Sequence, residues 1–169
     1  MTSAPSAGLQ LEIASADDMQ QLGFALAGVL EAGDLVLLIG PLGAGKTTLA
    51  RGIGAGLGVR GDVTSPTFVI ARVHPPLGLG PPMLHADLYR LGGVLELDDL
   101  DLDAEVADSV TVVEWGEGIA ETLADARLEI RLSRDEVGAD PESAEPRRVE
   151  LRGVGARWAG VDLAALVRS

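Results

Sequence analysis

The stretch "LVLLIGPLGAGKTT", residues 35–48, decides the fold, because five consecutive apolar residues run directly into a glycine-rich loop. A short and uniformly apolar run is typical of a strand that is buried on both faces of a sheet. The residues after the loop predict a helix over 46–57. A strand, a glycine-rich loop and a helix in this order predict an α/β domain with parallel strands at the centre of its sheet.

Within this stretch, Gly40, Gly45, Lys46 and Thr47 fit the pattern G-x-x-x-x-G-K-[ST] without a gap. Glycines let backbone N–H groups turn inward around phosphate oxygens, and the next helix directs the positive end of its dipole to the same place. The ammonium of Lys46 can reach between the β- and γ-phosphates, and the hydroxyl of Thr47 can take one position around Mg²⁺. The pattern predicts the P-loop NTPase three-layer fold, with a nucleotide and Mg²⁺ bound at the loop. The residues expected to bind the nucleotide are Leu42, Gly43, Ala44, Gly45, Lys46, Thr47 and Thr48.

Lysine usage supports the phosphate site. The chain of 169 residues has 13 basic residues, and Lys46 is its single lysine. An ammonium is a compact point charge, so the planar guanidinium of arginine is a poor substitute for it between two phosphates. A sequence that otherwise uses arginine therefore indicates that the lysine at this position is required by its chemistry.

A helix is predicted before the loop. Ser15 can cap it, with Asp18 as the acid of a capping box, and apolar residues then recur at helical spacing as far as Leu30. Gly33 is the predicted stop signal. We expect one domain over 10–169, preceded by a disordered tail over 1–9.

Further strands and short helices are predicted after the loop. The strands are expected at the end of 64–73, in 83–90 as far as Asp87, and in 110–115, 127–132 and 147–153; the short helices are expected over 117–124 and 162–167. The last two strands alternate apolar and polar residues, which predicts an antiparallel pair with one solvated face at an edge of the sheet. Residues 74–82 contain four prolines and predict a loop.

Composition limits the partners and the compartment. The net charge of −13 argues against tight binding of tRNA or other nucleic acid by this chain alone, because neutralising phosphates needs a basic face. Acidic residues cluster in 96–108 and 135–145, which predicts either solvated surfaces or docking sites for a basic partner protein. The chain has no cysteine, no apolar run long enough to span a bilayer and no recognisable signal peptide, so we expect a cytoplasmic protein without membrane contact.

Two of the predicted strands end in a carboxylate. The apolar segment "VTVVE" (110–114) delivers Glu114 at its carboxyl end, and Asp87 ends another strand. Ligands bind at the carboxyl ends of the strands in open α/β sheets. One carboxylate is therefore expected to bind Mg²⁺ while the other orients the attacking water, and either assignment stays open.

Two other classes of P-loop protein, the guanine-specific GTPases and the small-molecule kinases, fit these residues less well than an ATPase. Guanine-specific GTPases read the base with an Asn-Lys-x-Asp segment, and this chain has no asparagine and no second lysine. A small-molecule P-loop kinase usually has an arginine-bearing lid, but 61–70 and 74–82 contain no basic residue apart from His74. The kinase and a nucleotide-sensing regulatory subunit remain the alternatives to an ATPase.

Four motifs occur in an order that resembles the TsaE (YjeE) family: "GPLGAGKTT" (40–48), "TSPTF" (64–68), "HADLYR" (85–90) and "EWGE" (114–117). Members of that family are small bacterial ATPases that act with the TsaB and TsaD proteins to make threonylcarbamoyladenosine at position 37 of tRNAs reading ANN codons. The resemblance covers roughly residues 15–153. The proline-rich and acidic loops are not part of the family signature.

The resemblance implies an ATP hydrolase that is weak alone and depends on TsaB and TsaD. The carbamoyl transfer would belong to TsaD, and tRNA would be reached only through the complex. It also implies Lys46, Asp87 and Glu114 as catalytic residues, with Thr47, Glu114 and Asp87 around the metal.

Other polar residues have two interpretations each. The hydroxyls of 64–68 either sense the γ-phosphate or form a turn. His85 is either a site residue or a structural histidine held by hydrogen bonds. Trp115 is expected to pack, with a partner contact as the alternative. Arg147 and Arg148 either approach the nucleotide or lie exposed on a strand.

Overall fold

The computed structural model describes residues 8–41, 44–59, 71–87, 103–115, 125–134 and 146–167. Its strands are β1 (Leu9–Ile13), β2 (Leu35–Ile39), β3 (Ala71–His74), β4 (Met83–Asp87), β5 (Val110–Glu114), β6 (Arg127–Arg134) and β7 (Arg147–Val154). Its helices are α1 (Ala16–Ala27), α2 (Lys46–Leu57), α3 (Asp103–Asp108), α4 (Ala156–Ala159) and α5 (Leu163–Val167).

The seven strands form one mixed sheet in the order β1-β7-β6-β2-β5-β4-β3. β2 lies at the centre and is parallel to β6 on one side and to β5 on the other; β4 is parallel to β5. The pairs β1–β7, β7–β6 and β4–β3 are antiparallel. The predicted α/β fold, with a mostly parallel central sheet and antiparallel edge strands, is confirmed.

The core is almost entirely aliphatic, as a chain with 3% aromatic residues requires. All five residues of β2 are buried, so this strand is covered on both faces. Alternate residues Val36 and Leu38 join the core cluster that includes Leu49 and Ile53 of α2. The central strand is therefore fixed against the helix that begins at the P-loop lysine.

Glycines let α1 and α2 approach each other closely. A Cβ atom built at Gly52 of α2 would lie 2.1 Å from the carbonyl oxygen of Gln20, and one built at Gly23 of α1 would lie 2.4 Å from the carbonyl oxygen of Leu49. At Gly56 the nearest atom would be the Cβ of Ala27, at 2.5 Å. Glycines in this part of α2, which weaken a helix by propensity, are therefore required by its packing.

An ion pair ties α4 to the turn before β2. The guanidinium of Arg157 donates from Nε to Oδ1 of Asp34 and from Nη2 to Oδ2, both at 3.0 Å, and Nη2 also donates to the carbonyl oxygen of Val29 at 2.7 Å. Asp34 is buried, and its Oδ2 accepts a further bond from the backbone N–H of Glu31. The hydrogen bond to Asp34 raises the pKa of Arg157 against the opposing effect of burial, so Arg157 stays charged at every pH at which the fold would be studied.

Helix α1 begins as predicted but ends earlier. Ser15 is its N-cap, and the backbone N–H of Asp18 donates to Oγ of Ser15 at 3.1 Å. The predicted stop at Gly33 is wrong, because α1 ends at Ala27 with Gly28 as its C-cap. Beyond it, i→i+3 bonds such as Leu30 N–H to the carbonyl of Ala27 form turns that lead towards β2.

Strand β1 was not predicted, and it changes the edge of the sheet. It covers β7 on the side away from β6, so the edge strand is β1 rather than one of the predicted antiparallel pair. Leu9 and Leu11 pack against the core cluster, which explains why the strand is held there. The predicted tail over 1–9 therefore overlaps this strand at Leu9, and residues 1–7 lie outside the described residues.

Helix α3 occupies the end of the acidic segment 96–108, and the segment 135–145 lies outside the described residues. The predicted helix over 117–124 also lies outside them. The predicted closing helix is confirmed as α5. Within the described ranges, no helix has the length and apolar character that crossing a membrane requires.

Candidate nucleotide and metal site

The carboxyl ends of β4, β5 and β2 lie side by side at one edge of the sheet. Glu114 pairs in register with Asp87 of β4 and with Leu38 of β2. Paired residues of neighbouring strands direct their side chains to the same face of a sheet. Leu38 packs in the cluster that contains α2, so both carboxylates are directed to the side on which α2 lies. The predicted strand-end positions of Asp87 and Glu114 are confirmed.

The P-loop lysine lies folded back over its own loop. Gly45 is the N-cap of α2 and has a φ of 107°, a conformation that only glycine adopts without strain. Lys46 is buried, and its ammonium donates to the carbonyl oxygens of Gly40 and Pro41, the latter at 3.2 Å. These bonds keep the ammonium close to the loop. Neutral carbonyl oxygens bind an ammonium less strongly than charged phosphate oxygens do, so a phosphate at the loop would compete with them for Lys46.

Of the residues predicted to bind the nucleotide, five are described and lie at the start of α2 or just before it: Ala44, Gly45, Lys46, Thr47 and Thr48. Leu42 and Gly43 lie outside the described residues. The start of α2 therefore places the side chains of Lys46 and Thr47 beside the strand ends.

Each carboxylate oxygen of Glu114 has a different partner. The hydroxyl of Thr47 donates to Oε1 at 3.3 Å, and Nε2 of His85 lies 2.6 Å from Oε2. Glu114 is 3% exposed and His85 is 0% exposed, so this polar group is shielded from solvent. The resemblance implied that Thr47 and Glu114 lie around one metal, and the two side chains are in contact. For His85 the sequence left a site residue and a hydrogen-bonded structural histidine open, and it did not predict the contact with Glu114.

Trp115 lies directly against the P-loop lysine. Nζ of Lys46 is 3.8 Å from the centroid of the indole ring, which is a cation–π contact. Trp115 has a φ of 59°. Among the residues that the structure describes, it is the one residue other than glycine whose φ is positive. Such a conformation is uncommon for a bulky residue and often marks a functional site. The sequence predicted that Trp115 packs, and one of the groups it packs against is the lysine of the predicted phosphate loop.

The oxygens of Thr47 and Glu114 fit a Mg²⁺ ion. In an octahedral site with bonds of 2.0–2.1 Å, adjacent ligand oxygens lie about 3 Å apart. Oγ1 of Thr47 and Oε1 of Glu114 are 3.3 Å apart, and they come from different elements. In the part of the chain that is described, no three His, Asp or Glu side chains are grouped to hold a metal. Few protein ligands are typical of Mg²⁺, which keeps waters and binds phosphate oxygens.

A cleft of about 660 Å³ adjoins the first glycine of the P-loop. It lies over β1, β7 and β6, and the residues that line it are Gln10, Leu11, Glu12, Ile39, Gly40, Arg131, Leu132, Ser133, Arg148, Val149 and Glu150. Among the two arginines proposed to approach the nucleotide, Arg148 lines this cleft. Three lining residues belong to β1, the strand that was not predicted, and no motif in the sequence marks them.

Several predicted candidates lie outside the described residues. They are the hydroxyl-bearing residues Thr64, Ser65 and Thr67. Their role in sensing the γ-phosphate remains a prediction.

The chain is similar to proteins of one known family. The family model described as "Threonylcarbamoyl adenosine biosynthesis protein TsaE" matches residues 13–142. A relative from Streptomyces coelicolor, a tRNA threonylcarbamoyladenosine biosynthesis protein TsaE, is 60% identical over 149 residues, which cover 88% of this chain and 99% of the relative. The protein of the same name from Bacillus subtilis is 38% identical over 133 residues, covering 78% of this chain and 77% of the relative.

The architecture agrees with that of a solved relative. The crystal structure of Bacillus subtilis YdiB superimposes with a TM-score of 0.71 and 29% sequence identity, covering 99% of this chain and 97% of YdiB. The family match spans the P-loop, the two strand-end carboxylates and His85. On these matches, the chain belongs to the TsaE family.

Proposed function

We propose that this protein is the Mg²⁺-dependent ATPase subunit required, with TsaB and TsaD, for threonylcarbamoylation of adenosine 37 in tRNAs that read ANN codons. The names of its relatives support the pathway. The observation that best supports the chemistry is the convergence of Lys46, Thr47 and Glu114 at one strand end. The net charge of −13 fits a subunit that meets tRNA only through its partners.

The proposed site divides the work among three elements. The start of α2 directs backbone N–H groups and the ammonium of Lys46 at the β- and γ-phosphates. Thr47 and Glu114 would hold Mg²⁺, which neutralises charge on the phosphate oxygens when it is bound. Asp87 lies in register beside Glu114, where it can either join the metal ligands or orient the attacking water.

The nucleoside of ATP is proposed to lie in the cleft beside Gly40. Its volume of about 660 Å³ is in the range of small-molecule sites. Glutamate oxygens from Glu12 and Glu150 can accept hydrogen bonds from ribose hydroxyls, and the guanidinium planes of Arg131 and Arg148 can stack on a base. Gly40 lines the cleft, and its carbonyl oxygen accepts a hydrogen bond from the ammonium of Lys46, so the cleft adjoins the proposed phosphate site.

The test is phosphate release from Mg-ATP with and without TsaB and TsaD. We expect the pair to stimulate release, and Glu114→Gln to lower the stimulated rate by about 100-fold or more, because the neutral amide removes the metal-binding charge while keeping the side-chain volume. Glu129→Gln is the matched control, since Glu129 is a buried glutamate of β6 that pairs with Arg127 away from the site. That control should keep the stimulated rate.

Other outcomes would favour the alternatives. Robust ATP turnover that requires an added metabolite rather than TsaB and TsaD would favour a small-molecule kinase. A nucleotide-dependent complex without turnover would favour a regulatory sensor. In cells depleted of the protein, the modified nucleoside should disappear from tRNA, and wild type but not Glu114→Gln should restore it.

A further inference from the structure

Strands β4 and β5 place a buried histidine beside the metal-binding glutamate. His85 pairs in register with Val112, two residues before Glu114, so its side chain lies on the same face of the sheet as the Glu114 carboxylate. The ring is fully buried, and Nε2 lies 2.6 Å from Oε2 of Glu114. Because a carboxylate only accepts hydrogen bonds, Nε2 is the atom that carries the hydrogen and donates it.

This bond determines which oxygen of Glu114 faces α2. The terminal torsion of a glutamate is broad and roughly two-fold, so the carboxylate rotates easily when nothing holds it. With Oε2 bonded to His85, Oε1 is the oxygen that lies beside the hydroxyl of Thr47. The carboxylate is thereby held in the orientation that the metal needs before the metal binds.

The surroundings of the ring agree with such a role. Among the described residues, Nδ1 of His85 has no hydrogen-bond partner, so the described polar contact of this ring is the one to Glu114. The ring of His74, on β3, lies 6.5 Å away between centroids and tilted by 37°. The ring is thus packed within the sheet face and bonded at the end that points to the site.

We propose that His85 is a positioning residue, which fixes the Glu114 carboxylate for Mg²⁺ and acts through Glu114 rather than by contact with the nucleotide. The proposal rests on the Mg-nucleotide site proposed above. Hydrogen-bond partners behind a metal ligand typically change metal affinity by about 10- to 100-fold when they are removed. Loss of the His85 donor should therefore weaken the metal and leave the phosphate contacts of the P-loop intact.

The experiment measures Mn²⁺ binding in the presence of ADP by electron paramagnetic resonance, and ADP binding in EDTA by calorimetry. His85→Leu should weaken Mn²⁺ binding by about 10- to 100-fold. His85→Gln should stay within about threefold of wild type, because its amide can donate in place of Nε2. ADP affinity without metal should be unchanged in both variants. His74→Leu is the matched control for the loss of a buried ring beside His85: its ring lies 6.5 Å from that of His85, but the register pairs His74 with Met83, at the end of β4 away from Glu114.

Three results would overturn the proposal: wild-type Mn²⁺ affinity in His85→Leu, equal losses in the Leu and Gln variants, or an equal loss in His74→Leu. If His85→Leu does not fold, His85→Gln alone decides the question. A tenfold loss of Mn²⁺ affinity in folded His85→Gln would contradict the proposal, which requires that another hydrogen-bond donor can replace Nε2. If the wild-type protein binds no Mn²⁺ with ADP, the proposed site itself fails. The two failures can be told apart: in the first, the wild-type protein binds no Mn²⁺, whereas in the second, the wild type and His85→Leu bind Mn²⁺ equally well.

Discussion

Replacing Gly52 by alanine tests the close contact between α1 and α2. The new Cβ would lie 2.1 Å from the carbonyl oxygen of Gln20 and 2.9 Å from its Cα, so α1 must retreat by about 1 Å or more. Alanine gains about 1 kcal/mol in helix propensity over glycine. Overpacking costs about 1–3 kcal/mol, and because the obstacle here is backbone, the cost should reach or exceed the upper end of that range. We expect a net loss of about 2 kcal/mol.

The assay is urea unfolding followed by far-UV circular dichroism, together with a thermal melt. For a chain of this size, a loss of about 2 kcal/mol lowers the melting temperature by about 4–8 °C. Gly28→Ala is the matched control, because Gly28 is exposed at the end of α1 and already has a right-handed φ of −64°. This control should be neutral or stabilised by up to about 1 kcal/mol. A Gly52→Ala variant as stable as wild type would refute the packing explanation.

Two further predictions concern the ion pair and the indole. Arg157→Leu should lower the free energy of unfolding in urea by about 3 kcal/mol, because it leaves the buried Asp34 carboxylate without its cation. Arg152→Leu removes a more exposed ion pair and should cost less than about 1 kcal/mol. Equal losses in the two variants would contradict this reasoning. In a Trp158→Phe background, ADP should change the fluorescence of Trp115, because a bound phosphate draws the Lys46 ammonium away from the indole ring. In the structure, that ammonium lies 3.8 Å from the centroid of the ring. An unchanged spectrum at saturating ADP would show that the contact persists.

Local signals in the sequence predicted the centre of the fold well. β2 and α2 have the bounds expected from the apolar run and the glycine-rich loop, and the cap at Ser15 is where the pattern placed it. Each of these features depends on residues within one turn or one strand. Propensity and periodicity report such short-range preferences directly.

Features that depend on distant partners could not be predicted in the same way. β1 has only five residues and is held at the edge by β7, more than a hundred residues later in the chain. The apolar spacing continues past the end of α1 because Val29 and Leu30 still pack against the core after the helix has ended. Hydrophobic periodicity therefore reported burial correctly there and backbone conformation incorrectly.

The candidate site shows the same division. The pattern around Lys46 and Thr47 is contiguous, so the sequence alone predicted it, and a carboxylate ending an apolar strand identified Glu114 as a candidate. The bond from His85 to Glu114 depends on the register of β4 against β5. The alternation along β4 predicted that His85 and Asp87 lie on the same face of the sheet. No local pattern predicts which residues of the neighbouring strand lie beside them.

This dependence on register links the site to the stability of the sheet. A slip of one residue between β4 and β5 would turn His85 and Asp87 to the opposite face from Glu114 and separate the bonded pair. The geometry proposed for metal binding thus exists only in the native pairing of the central strands. A ligand that requires this geometry binds the folded state in preference to the unfolded state. Mg-ADP should therefore raise the free energy of unfolding, in proportion to the logarithm of its concentration above Kd. A variant such as Gly52→Ala, which loosens helix packing while leaving the strand register intact, should lose stability and yet retain that ligand-dependent gain.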